Sequence, residues 1–151
     1  MPNFNVRING WIVALILWLG VIFFSSTSLA AQWCERVFRF LSAIIFNQLH
    51  PDESSYGLIH LLADKSVHVG MFLVLALLLW RILPDAQWKI ARILLCGAVV
   101  GSASEFLQRF FPGRDPAVRD VLINVAGTAV GVAVSLAWIR YRSRAEALVL
   151  K

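Results

Sequence analysis

Charge is what this chain has least of. Asp, Glu, Lys and Arg make up 15% of its 151 residues, hydrophobic side chains make up 59%, and mean hydropathy is +0.72. That balance excludes an ordinary soluble domain, whose charged share is about 25%. Cysteine is nearly absent as well. Cys34 and Cys96 have no CxxC partner and no Cys or His neighbour at ligand spacing, so neither a metal site nor a cofactor is expected. A disulfide is not expected either, because the two fall near opposite sides of the membrane arrangement derived below. The formal charge is +5, but Arg and Lys gather at the ends of apolar runs and form no basic face, which excludes nucleic acid as the partner.

What is present is long apolar segments. Crossing about 30 Å of hydrocarbon takes roughly 20 residues, and four spans meet that measure, at about 11–31, 65–83, 90–110 and 120–139. Only Pro84 to Lys89 separates the second from the third, which makes them a tight antiparallel hairpin. The first span has a competing reading as a signal peptide, since Arg7 precedes it and Ser28-Leu29-Ala30 resembles a cleavage site. A retained helix is the preferred reading. Between the first and second spans, about residues 33–49, apolar side chains recur at 33, 37, 38, 41, 44, 45 and 49. This helical period predicts an amphipathic helix in the headgroup layer, followed by a loop over Pro51 to Gly57. The expected fold is an all-α polytopic membrane protein, a single domain over 1–151 with four transmembrane helices and one interfacial helix.

Lys and Arg counts set the orientation. The side holding both termini carries 8 and the other 6, so the positive-inside rule puts both termini in the cytoplasm and the protein in the cytoplasmic membrane.

The remaining polar residues converge by depth. Lys65 and His68 open the second helix three residues apart, Glu105 and Gln108 close the third, and Asp120 and Asn124 open the fourth. Each pair shares a helix face. Alternate helices run in opposite directions, so all six belong to one boundary, in a layer on the order of 10 Å deep. Gly127 and Gly131 continue the Asp120/Asn124 face and allow close helix approach there. Glu105 is the strongest single candidate: a charge at that depth costs up to roughly 2.5–3.5 kcal/mol and requires a partner or a proton. Lys65, at a helix N-terminus, opposes the dipole and gains from an anion such as Glu105, Asp120 or a phosphate. Snorkelling is the plainer account of Lys65, helix-to-helix bridging of Gln108 and Asn124, and a solvated loop charge of Arg114.

Together, Lys65-Ser66-Val67-His68, Glu105-Phe106-Leu107-Gln108, Pro112-Gly113-Arg114 and the Asp120, Asn124, Gly127 register resemble the VanZ-like family of bacterial membrane proteins. The resemblance covers about Asp64 to Gly131, and Ser25-Ser26 is compatible with it. It implies a compact helical protein of the cell envelope, in a family named for a protein associated with teicoplanin resistance; it implies no defined reaction.

Three functions are compatible with the cluster. The first is an outward-facing site for an anionic membrane lipid or envelope precursor, with Lys65, Arg114, Gln108 and Asn124 as ligand-binding residues and Glu105, His68 and Asp120 as catalytic acid/base candidates. No serine or cysteine nucleophile with an adjacent base accompanies them. The second is non-enzymatic binding or partner docking. The third is proton or ion transport, against which no polar line continues through the inner halves of the helices.

Overall fold

A computed structural model describes residues 10–46, 53–114 and 116–149. Among these residues there are five helices and no strand: α1 Gly10–Ser25, α2 Ser28–Phe46, α3 Glu53–Ile82, α4 Lys89–Gln108 and α5 Val118–Val149. Three stretches are long and apolar enough to cross a membrane, Tyr56–Ile82, Lys89–Gln108 and Val118–Glu146; the bent pair α1 and α2 makes a fourth if taken as one span.

The first span is shorter than its hydropathy predicts. At 16 residues α1 is about 24 Å long, and the chain then turns by 81° into α2. The run Ser25 to Ser28 both ends one helix and starts the next. Ser25 Oγ and Ser26 Oγ donate to Ile22 O at 2.6 and 3.4 Å, and Thr27 Oγ1 donates to Phe24 O at 2.7 Å. Backbone bonds tighten to three-residue spacing at Ser26 and Thr27. Thr27 Oγ1 then accepts from Ala30 N at 3.3 Å, the geometry of an N-cap. The amphipathic helix therefore begins at Ser28, five residues before the expected Trp33; its expected tail, residues 47–49, lies outside the described residues.

The loop expected over Pro51 to Gly57 is corrected in the same way. Pro51 and Asp52 lie outside the described residues, but Glu53 onward is helical, so α3 starts twelve residues before Lys65. Hydropathy marks where hydrocarbon begins; it does not mark where a helix begins. The extra turns pack against α2, with the Phe38 ring edge-on to Tyr56 at 5.4 Å and to His60 at 4.6 Å. For the same reason α5 continues past Ile139 to Val149, since nothing in Arg140 to Arg144 breaks a helix. The hairpin after Ile82 is as short as expected, and α4 stops at Gln108 ahead of the Pro112-Gly113 turn, where Gly113 takes φ +76°.

The core lies where α1, α3, α4 and α5 meet, around Ile22, Phe72, Leu75, Ala76, Ile93 and Val132. Trp18 Nε1 donates to Met71 O at 2.9 Å and fixes α1 to α3. The closest seam is α3 on α5. A Cβ on Gly127 would stand 2.6 Å from Val69 O, and one on Gly131 2.6 Å from Leu73 O, so the backbone of α3 lies directly against α5 where α5 has no side chain. This seam sets the mutual rotation of α3 and α5, and with it the Lys65–Asp120 and His68–Asn124 contacts below.

Candidate functional site

The α3/α5 seam aligns the first polar pair. Lys65 Nζ donates to Asp120 Oδ2 at 2.8 Å and also lies 3.0 Å from Asp64 Oδ2. One turn deeper, His68 Nδ1 lies 3.2 Å from Asn124 Oδ1, with His68 buried and Asn124 fully so. Lys65 thus meets Asp120 and not Glu105. Among the described residues Glu105 has no ion-pair partner within 4 Å. Its carboxylate is met by neutral donors instead: Gln108 Nε2 donates to Oε1 at 3.0 Å and Ala117 N to Oε2 at 3.3 Å. Ala117 immediately precedes α5, so Glu105 and Asp120 both lie at the positive end of that helix dipole. Two buried acids are therefore held by one lysine, one amide and a helix terminus.

Arg114 follows the Pro112-Gly113 turn and reaches back to α1. One of its terminal nitrogens donates to Ser25 O at 2.7 Å, capping the carbonyl end of the helix. Two further contacts lock the elbow to the α4 end of the molecule: Ser28 Oγ donates to Pro112 O at 2.8 Å, and the buried hydroxyls of Ser26 and Ser104 lie 2.8 Å apart. Three buried polar atoms, Arg114 Nε, Asp120 Oδ1 and Asn124 Nδ2, have no hydrogen-bond partner among the described residues. Arg119 Nε stands 3.7 Å from Asp120 Oδ1, near enough to attract but too far to hydrogen-bond.

Between α2 and α3 lies a cavity of about 770 Å³. Its lining is polar at Ser25, Asp64, His68 and Arg114 and apolar at Trp33, Val37, Phe38, Leu41, Val67 and Met71. Also in the lining, Glu35 Oε2 meets His60 Nε2 at 2.8 Å and Glu35 Oε1 meets Arg39 Nε at 3.2 Å. The seven residues singled out from sequence thus fall into two groups. His68 and Arg114 line the cavity. Lys65, Glu105, Gln108, Asp120 and Asn124 form the paired lattice behind it. Sequence reasoning missed Ser26 with Ser104, and Glu35 with His60. The hydroxyl run at Ser25 to Ser28 was a visible signal for the first, whereas the second joins residues 25 apart with nothing local to betray it.

Charge bookkeeping around the cavity is one-sided. Both acids that line it are already paired, Asp64 with Lys65 and Glu35 with Arg39 and His60. Arg114 and Arg36 face no carboxylate within ion-pair distance among the described residues, and Arg36 rests over the Trp33 ring at 5.9 Å. A lining that combines arginines without a carboxylate partner among the described residues with apolar side chains suits an amphiphile with an anionic head. Among the described residues no group of three or more His, Cys, Asp or Glu is placed to hold a metal ion.

The VanZ/LLP1 family model matches residues 11–140, which includes α1 from its second residue, α2, every residue of the lattice, and His68 and Arg114. No curated protein and no solved structure matches the chain.

Proposed function

Because the chain belongs to the VanZ/LLP1 family and is a multi-pass membrane protein, we propose that it binds an anionic envelope lipid or lipid-linked precursor in the cavity between α2 and α3. The observation that carries this reading is the pairing pattern: the acids that line the cavity are paired from within the fold, while Arg114 lines it with no carboxylate partner among the described residues. The head group sits at Arg114 and His68, and the acyl or polyprenyl portion lies along Val67, Met71 and the apolar face of α2.

In this reading the lattice is the scaffold of the site. Lys65 and Asp120 hold α3 to α5, Gln108 and Ala117 hold Glu105, and Asn124 orients His68. Glu105 and Asp120 act by positioning, and of the three acid/base residues read from the sequence His68 is the one that lines the cavity. With both termini in the cytoplasm, as the Lys and Arg distribution favours, the cavity opens at the outer leaflet of the cytoplasmic membrane. There a bound precursor alters what a glycopeptide of the teicoplanin type can reach.

The test compares wild type with Arg114→Ala after purification in mild detergent, counting phosphate-bearing lipids retained per protein by mass spectrometry. A charge-assisted hydrogen bond is worth about 1.5–3 kcal/mol, so retention should fall by about tenfold or more. Equal retention by the two folded proteins sinks the reading.

A further inference from the structure

Two residues that line the cavity, His68 and Arg114, offer a ring nitrogen and a guanidinium. The side-chain oxygen of Asn124 has lone pairs only, so its 3.2 Å contact requires the proton of the His68 ring to be on Nδ1. Asn124 is fully buried and packs against Gly101 of α4. With Nδ1 committed, Nε2 of the neutral ring carries a lone pair, and among the described residues nothing donates to it. Arg114 lines the same cavity, and its buried Nε has no acceptor among the described residues.

Resting on the reading of the cavity as a site for an anionic amphiphile, we infer that the head group it selects is a phosphate monoester, and that His68, oriented by Asn124, is the residue that distinguishes it from a phosphodiester. A phosphate monoester loses its second proton near pH 6, at about pKa 6, so near neutrality it is present both with and without a P–OH. Either form matches the ring through one shared proton: a neutral imidazole accepts from P–OH, and an imidazolium donates to the dianion. Arg114 takes a second phosphate oxygen. A diester has no ionisable proton left, and its free oxygens are acceptors only. Against a neutral Nε2 it sets lone pair against lone pair, and the fit requires a further proton from water. The apolar walls commit the occupant to a chain-bearing ester and disfavour the free ion.

Cys34 lines the cavity and supplies the readout. Protein carrying Cys96→Ser, a change at an exposed position of α4, is placed in phosphatidylcholine nanodiscs, and maleimide labelling of Cys34 is followed against added dodecyl phosphate, methyl dodecyl phosphate or inorganic phosphate. Dodecyl phosphate should protect Cys34 at a concentration about tenfold lower than its methyl diester, the difference expected from one hydrogen bond to a charged group. Inorganic phosphate should not protect at that concentration. His68→Phe should remove the difference while both esters still bind through Arg114.

Equal protection by the two esters in wild type overturns the monoester inference and leaves the anionic-lipid reading standing. No protection by either ester at saturation overturns both. Protection by inorganic phosphate as strong as that by dodecyl phosphate overturns the commitment to a chain-bearing ligand. If His68→Phe folds and keeps the preference, His68 is not its source; if it fails to fold, the wild-type comparison decides alone.

Discussion

Gly127→Ala is the sharpest probe of what positions the polar lattice. The new Cβ would stand 2.6 Å from Val69 O and 2.9 Å from Val69 Cα, both backbone atoms that no rotamer change can remove. Reaching ordinary contact, about 3.4 Å, requires α3 and α5 to part by about 0.8 Å at that level. His68 is next to Val69, and its Nδ1 is 3.2 Å from Asn124 Oδ1. The same displacement takes that distance to about 4 Å, past the limit of a hydrogen bond. Overpacking costs about 1–3 kcal/mol and an interhelical hydrogen bond in a membrane about 0.6 kcal/mol. Alanine returns up to about 1 kcal/mol through helix propensity. The expected net loss is about 1–3 kcal/mol. Gly70→Ala supplies the control, because the same α3 helix leaves open space there. Unfolding free energies measured in bicelles should separate the two variants. If Gly127→Ala matches Gly70→Ala within about 0.5 kcal/mol, close backbone approach is not what sets the seam, and the reasoning fails.

Three further outcomes are expected. Asp120→Asn should cost about 1–3 kcal/mol, less than the roughly 3–5 kcal/mol of a fully buried pair, because Asp64 remains 3.0 Å from Lys65 and the lysine side chain is 20% exposed; the double change Lys65→Met with Asp120→Leu should recover most of it, and a neutral single variant would contradict the assignment. Glu35→Gln should change stability by under about 1 kcal/mol, since the pair with His60 is about 40% exposed on both sides, yet amide exchange in α2 should quicken while that of the inner half of α3 does not; unchanged exchange in α2 would mean the contact does not hold the helix over the cavity. Ser26→Ala should cost about 1 kcal/mol by leaving the Ser104 hydroxyl buried without its 2.8 Å partner, and Ser26→Ala with Ser104→Ala should cost less than the sum of the singles in the same unfolding assay.

The legible parts of the fold were those governed by neighbours along the chain. Apolar runs marked the spans, the six-residue stretch Pro84 to Lys89 marked a hairpin, and the period between Trp33 and Leu49 marked an amphipathic helix. Boundaries outside the hydrocarbon were not legible. Tyr56 to Ala63 are largely apolar and lengthen the candidate span of α3, while the polar run Arg140 to Val149 still extends α5, because a helix needs only satisfied backbone bonds and no breaker. The elbow at Ser26 and Thr27 was foreshadowed by four consecutive hydroxyl residues, but its 81° turn depends on Arg114 and Pro112 arriving from the other end of the chain.

The sequence by itself determined the solvent, the helical class and the gathering of Lys65, His68, Glu105, Gln108, Asp120 and Asn124 at one boundary, since hydropathy and a rise of about 1.5 Å per residue suffice for those. Only the tertiary structure decided who meets whom. Lys65 pairs with Asp120 and leaves Glu105 to Gln108 and a helix terminus, and of the candidate residues only His68 and Arg114 line the cavity. Those choices turn on how far each helix is rotated about its axis, which is set where the backbones of α3 and α5 touch at Gly127 and Gly131. Depth can be counted along a chain, but rotation is fixed by packing between residues far apart in it.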